Sequence, residues 1–135
     1  MDLLTPARRG VAAPVFIRRL NASAAPVKYL DYIIEEPIHA VMLAGSPCLI
    51  KVPQPARYAL HKLIVSQERD PTVAAKKEKG ILQAKRLLAL LREDRPGDIR
   101  RGWEPLAKRG GSIWVKRVKA ACAKAEIPMP VGGVA

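Results

Sequence analysis

The stretch KVPQPARYALHKLIVSQER (residues 51–69) decides the predicted fold, because the spacing of the apolar residues changes within it. It opens as the end of a strand, passes two prolines and becomes helical from Gln54 onward. Pro55 suits a first helical turn, where its missing N–H leaves no hydrogen bond unmade. The apolar residues of this helix share one face, and they are Ala56, Leu60, Leu63 and Ile64. The stretch therefore predicts an amphipathic helix that follows a region of strands.

Upstream of this helix, short apolar runs alternate with turn residues, which is typical of strands. Residues 1–4 and 14–20 predict two strands, the second followed by an Ala- and Ser-rich connection. Residues 27–36 predict a short helix. Two further apolar runs, residues 40–44 and 48–52, meet across the sequence Gly-Ser-Pro and predict a β-hairpin.

Downstream of this helix, the pattern predicts further helices. The second helix runs at about residues 72–92. The third lies near residues 99–108, with Asp98 as its cap and Pro105 as a kink. The fourth lies near residues 113–124, with Ser112 at its start. The predicted fold class is α+β, with a small amino-terminal strand and hairpin region followed by a carboxy-terminal bundle of about four helices. We divide the chain into a mixed α/β region (1–53), a helical basic region (54–125) and a flexible tail (126–135).

Charge is distributed unevenly along the chain. Residues 1–50 carry five Lys and Arg against four Asp and Glu, whereas residues 51–135 carry nineteen against eight, which gives net charges of +1 and +11. A concentrated positive field attracts polyanions. The sequence therefore predicts a phosphate-bearing ligand, whether nucleotide, RNA or DNA.

Other features of the composition narrow the class of protein. The 135 residues suit one domain, since domains commonly have about 100–150 residues. Cys48 and Cys122 are far apart and lack metal-binding spacing, so both are predicted to be reduced core thiols of a cytoplasmic protein. No apolar run approaches the ~20 residues that span a bilayer, and the amino terminus lacks a signal-peptide pattern. We expect a soluble protein without a membrane partner.

Cationic side chains on the helix of residues 54–69 are the candidate ligand contacts. Arg57 and His61 are separated by four residues and share one face, while Tyr58 and Lys62 form a neighbouring pair with the same spacing. One interpretation is an anion clamp, in which Lys62 faces phosphate and Arg57 or His61 donates beside it. The alternative is a solvated polar face without a ligand.

A second group of cations lies between this helix and the next, and it comprises Arg69, Lys76, Lys77 and Lys79. Cations at the amino terminus of a helix oppose the helix dipole, so an anionic ligand would explain them. A solvated, lysine-rich turn is the alternative. The sequence contains no D-x-D pair and no glycine-rich phosphate loop, so the residues alone predict no complete active site. Trp103 and Trp114 are isolated and predicted to fill the core, which disfavours binding of single strands by base stacking.

Four segments together resemble a bacterial group of nucleotidyltransferase-like proteins in the polymerase-beta-type superfamily. They are DLLTPARRG, LDYIIEEP, VPQPARYALHKLIVSQER and ILQAKRLLALL, within residues 1–125. The group carries a vDLLTP strand, a VPxPARxAxHKLIVxxxR helix and a KDxxQA helix. The resemblance implies transfer of a nucleoside monophosphate from an NTP with Mg²⁺ or Mn²⁺. The sequence does not identify the acceptor, for which RNA and DNA are candidates. Residues 1–53 would then be the remnant of a nucleotidyltransferase-like sheet.

The resemblance also implies roles for individual residues. Asp2 resembles the third acidic residue of the metal site, with a catalytic role, while Lys62, Arg69 and Lys79 would reach the phosphates. Arg57, His61 and Lys76 are further candidate phosphate contacts because of their positions beside these cations. Two departures stand out: the Gly-Ser helix and the D-x-D pair of the group precede the DLLTP strand and are not in this chain, and Gly80 replaces the acid of the KD pattern. We therefore expect a truncated protein with weak or no activity as an isolated chain. The alternatives are a non-catalytic basic module that binds nucleic acid and a degenerate fragment.

Overall fold

The structure is a computed structural model that describes residues 3–8, 13–68 and 71–130. Strands and one short helix occupy the amino-terminal part, and three longer helices follow. This arrangement confirms the predicted α+β class. None of the described helices combines the length and the apolar character needed to cross a bilayer.

The first sheet has three strands in the order β1-β3-β2. They are β1 (Leu3–Pro6), β2 (Val15–Ile17) and β3 (Ala22–Val27), and β3 pairs parallel to β1 and antiparallel to β2. A short 3-10 turn (Arg18–Leu20) joins β2 to β3, so the predicted strand at residues 14–20 is shorter than expected. The predicted Ala- and Ser-rich connection is in fact the central strand β3. Its composition has little preference for strand, so pairing on both edges decides its conformation.

The predicted hairpin is confirmed. Strands β4 (Ile38–Ala44) and β5 (Ser46–Val52) pair antiparallel around Gly45, whose φ of 76° lies in the left-handed region that favours glycine. Helix α1 (Leu30–Ile34) is shorter than the predicted helix at residues 27–36. It begins after Tyr29, which is itself left-handed with φ 60°, and ends where Glu35 turns extended.

The long helices are α2 (Pro55–Ser66), α3 (Ala74–Asp94) and α4 (Pro96–Ala125). Helix α4 contains the predicted third and fourth helices. The break between them lies at Gly111, with φ 51° and ψ −144°, in the gap that separates the two predicted helices, and Pro105 lies within the helix. Asp98 does not cap the helix as predicted. The helix begins upstream of it, and its carboxylate pairs with Nε of Arg95 at 3.2 Å.

The hydrophobic core lies among α2, α3 and α4. The predicted apolar face of α2 is confirmed, since its four residues are fully buried. Helices α3 and α4 contribute chiefly Leu88, Leu106 and Val118. Cys122 lies in this core, where burial raises the pKa of its thiol. The same prediction for Cys48 is wrong, because that thiol is exposed on β5.

Candidate functional site

Helix α2 presents two different polar faces. Arg57 and His61 point toward the amino-terminal region and are buried, with 1% and 7% of their surface exposed. Lys62 and Tyr58 are only partly buried, and Lys62 lies beside α3. The alternative of a solvated polar face is therefore wrong for Arg57 and His61.

Arg57 links α2 to the segment that follows α1. Its Nη1 donates to a carboxylate oxygen of Glu35 at 2.8 Å and to the backbone oxygen of Tyr32 at 3.1 Å, while Nη2 donates to Glu36 at 3.2 Å. The guanidinium also lies 5.2 Å from the centre of the Tyr32 ring. Hydrogen bonding from Arg57, aided by the nearby Arg109, holds the pKa of Glu35 below its usual value. Both carboxylates of the sequence EEP, Glu35 and Glu36, therefore form ion pairs with the buried Arg57.

His61 also contacts the amino-terminal region. Its Nε2 lies 2.8 Å from the backbone oxygen of Lys28, so the neutral ring carries its proton on that nitrogen. The ring contacts Tyr29 edge to face, with 6.5 Å between the ring centres. This histidine thus holds α2 against the turn that precedes α1.

A polar cluster around Glu68 joins three parts of the fold, and sequence reasoning missed it. The carboxylate of Glu68 accepts hydrogen bonds from Lys28 at 2.9 Å, from the Tyr29 hydroxyl and from Arg117. Burial raises the pKa of Glu68, but the hydrogen bonds from Tyr29 and Lys28 and the charge of Arg117 outweigh it, so the pKa is lowered. The cluster ties the end of α2 to the β3–α1 turn and to α4.

Trp114 completes this cluster on its apolar side. Its ring meets Tyr29 at 4.6 Å and Tyr32 at 5.8 Å between centres, both edge to face. Trp114 does pack against the core, as predicted, but it is not isolated. Trp114 is far from Tyr29 and Tyr32 in sequence, so no local pattern connects it to them.

Lys62 occupies the other face of α2. Its ammonium lies 4.9 Å from the centre of the Tyr58 ring, which confirms that the two residues are neighbours at a spacing of four. Its aliphatic stem runs beside Gly80 of α3. No carboxylate in the described ranges forms an ion pair with Lys62, in contrast to Arg57 and Arg117.

Two of the other predicted lysines lie on the same helix as Gly80. Lys76 is four residues before Gly80 and Lys79 directly precedes it, and both are exposed on α3. We call Lys62, Lys76 and Lys79 the lysine surface. Lys77 is half-buried. Asp2 and Arg69 lie outside the described residues.

Metal-ligating side chains do not gather in the part of the chain that the structure describes. No three His, Cys, Asp or Glu residues there are close enough to hold an ion. Asp2, to which the resemblance assigns the metal, lies outside these residues.

A polar groove lies on the opposite side of α2 from α3. It has a volume of about 730 Å³ and is bounded by residues 35–37, the beginning of α2 and the middle of α4. Arg57 lines it beside Glu35 and Glu36, and Arg101, Glu104 and Lys108 are among the residues of α4 that line its other wall. The sequence analysis did not identify this groove. Its only local signal is the spacing of these charges on α4.

Comparison with known proteins places the chain in a family. No curated protein and no solved structure matches it significantly. The profile of a nucleotidyltransferase family matches residues 1–107, which include both sheets, α2, α3 and the groove-lining residue Glu104. The match covers well over half of the sequence, and it agrees with the resemblance of the HKL helix. The chain therefore belongs to a nucleotidyltransferase family.

Proposed function

We propose that the chain takes part in transfer of a nucleoside monophosphate from an NTP, and that its lysine surface binds the triphosphate. The observation that carries this assignment is the placement of Lys62, a partly exposed cation without a carboxylate partner in the described ranges, held between Tyr58 and Gly80. Catalysis of phosphoryl-type transfer is mostly positioning and neutralisation of charge. A lysine held by its stem supplies both at one phosphate oxygen.

The residues of the two faces of α2 then have different roles. Lys62 faces the phosphates directly, and Lys76 and Lys79 add charge from α3. Arg57 and His61 act at a distance, because their contacts hold α2 to residues 28–36 and so set the position of Lys62. Mg²⁺ or Mn²⁺ would neutralise further phosphate charge in such a reaction.

The second candidate is a non-catalytic module that binds RNA or DNA through its backbone. It is favoured by the net charge of +11 on residues 51–135. Such binding weakens steeply with salt, since each phosphate contact releases counterions. A specific triphosphate site saturates at a defined stoichiometry and responds less to salt. Titrations with ATP and with a random duplex at two salt concentrations separate the two functions.

The test of the lysine surface is the rise in melting temperature that added ATP and Mg²⁺ produce. Lys62→Ala leaves the melting temperature without ligand nearly unchanged, since loss of a partly exposed lysine with no ion pair among the described residues costs about 0.5 kcal/mol. It removes most of the ATP-induced rise, because that rise depends on ligand affinity. Lys119→Ala, which removes an exposed lysine of α4, is the matched control and keeps the rise. A full ATP-induced rise in the melting temperature of Lys62→Ala would refute the proposed site. Transfer itself is tested separately, by an assay that follows the label of a labelled NTP.

A further inference from the structure

The groove beside α4 has the size of a ligand site. Its volume of about 730 Å³ lies within the range of about 300–1,000 Å³ that small-molecule sites occupy. Three segments far apart in sequence form its walls, so the tertiary fold alone creates it. Arg57 lines it with a buried Nε that has no hydrogen-bond partner among the described residues. One donor at this wall therefore remains unused.

The acidic residues on one wall of the groove are already neutralised. Arg57 pairs with both Glu35 and Glu36, and Arg109 pairs with Glu35 as well. Because these pairs cancel much of the carboxylate charge, this wall does not repel an anion strongly. The opposite wall then determines the charge that a ligand meets.

That wall carries a row of charges on one face of α4. Arg101, Glu104 and Lys108 are separated by three and four residues, which places them on the same side of a helix. All three are exposed, and none forms an ion pair within the described ranges. Seven residues separate the two cations, about 10 Å along the helix axis. Two unpaired cations thus flank one unpaired carboxylate.

This arrangement complements the groups of a nucleotide chain. Arg and Lys bind phosphate oxygens through charged hydrogen bonds. A carboxylate accepts from the amino group of a base, as Glu and Asp do from N4 of cytosine. In a single strand, an unstacked base is flanked by two phosphates. The two cations, with the carboxylate between them, follow the same order.

We propose that the groove beside α4 binds the acceptor strand, a single-stranded nucleic acid whose phosphates contact Arg101 and Lys108 and whose base contacts Glu104. This assignment rests on the proposed function, because nucleotidyl transfer needs an acceptor as well as the NTP. The two sites lie on different sides of α2. Arg57, which lines the groove, and Lys62 are five residues apart, a rotation of about 140° around a helix.

The test measures binding of fluorescein-labelled single strands of about 12 nucleotides, oligo(dC) and oligo(dT), by anisotropy over a salt series. Arg101→Gln combined with Lys108→Gln removes both groove cations. Lys119→Gln combined with Lys124→Gln removes the same charge from exposed positions of α4 outside the groove. We expect the groove variant to lose about tenfold in affinity and about 1.4 in the slope of log K against log salt, since each single-strand phosphate contact contributes about 0.7. The control variant loses much less of both.

The base contact has its own variant. Glu104→Gln should reduce the preference for oligo(dC) over oligo(dT), because the amide is a weaker acceptor for an amino group than the carboxylate. An unchanged preference would refute the contact with the base. Equal losses in the groove and control variants would show that charge attracts the strand diffusely, and would refute the groove. Absence of strand binding at about 50 mM salt would refute it as well.

A free mononucleotide is the competing ligand of the groove. If the groove variant keeps its strand affinity and instead loses the ATP-induced rise in melting temperature, the groove is a mononucleotide site and the acceptor assignment is wrong. Lys62→Ala separates the two proposals. If Lys62→Ala keeps the ATP-induced rise in melting temperature, the proposed triphosphate site is refuted. Loss of strand binding in the groove variant would still support the groove as a strand site.

Discussion

The side chain of Lys62 crosses α3 at Gly80, where an added Cβ would lie 3.7 Å from Cδ of the lysine. That distance is an ordinary van der Waals contact, and Gly80 has a helical backbone, so packing does not require glycine here. The KD pattern of the similar proteins has an acid at this position. An acid would lie against the stem of Lys62 and within reach of its charge. Glycine offers no such carboxylate to Lys62.

Substitutions of Gly80 test this relationship. Gly80→Ala should raise the free energy of unfolding by about 0.5–1 kcal/mol, because it removes the entropic cost of glycine within a helix. It should keep the ATP-induced rise in melting temperature. Gly80→Asp should lose most of that rise, since its carboxylate pairs with Lys62, whereas Gly80→Asn keeps it. Urea unfolding and melting curves measure both effects, and an intact rise in Gly80→Asp would contradict the pairing.

Arg57 is predicted to stabilise the fold rather than to bind the nucleotide. Arg57→Ala should lower the free energy of unfolding by about 3 kcal/mol, because it removes a buried side chain and leaves the Tyr32 carbonyl and two carboxylates without their donor. Urea unfolding measures the loss, and Lys119→Ala serves as the surface control. A variant of normal stability that fails to respond to ATP would assign Arg57 to the ligand instead.

Gly110 is predicted to be indispensable for the position of Trp114. A Cβ at Gly110 would lie 1.9 Å from Cγ of Trp114, so Gly110→Ala must displace the indole from Tyr29 and Tyr32. We expect a loss of about 1–3 kcal/mol in unfolding free energy, as for other overpacked cores. In a Trp103→Phe background, the fluorescence of Trp114 should shift to the red. Gly97→Ala is the control, because a Cβ there meets nothing within 4 Å; unchanged emission in Gly110→Ala would contradict this packing.

Glu68 should make stability depend on acid pH. Its pKa in the folded chain lies below the ordinary value of 4.5, so its contribution is complete above that pH and is lost as the pH falls through the lowered pKa. Glu68→Gln should therefore reduce the fall in unfolding free energy below about pH 4.5. Its stability at neutral pH should be lower than that of the natural chain. Unfolding curves from pH 7 to pH 3 measure this, and parallel pH profiles would show that other carboxylates dominate.

Local patterns were sufficient to predict most of the secondary structure. The apolar period of α2, the glycine turn of the β4–β5 hairpin and the break before Ser112 each depend on residues adjacent in sequence. The neighbouring positions of Lys62 and Tyr58 follow from helix geometry alone. These features could be predicted because their causes, hydrophobic spacing and backbone conformation, act within a few residues.

The sequence by itself thus determined the α+β class, the helices and the pairing of Lys62 with Tyr58 on α2, as well as the family resemblance. Only the tertiary structure decided that β3 is a strand, because its pairing partners lie in other segments. It also decided that Arg57 is buried, since the carboxylates that compensate its charge come from residues 35 and 36. The groove beside α4 has the same origin. Burial of a charge depends on partners distant in the chain, and no local period contains that information.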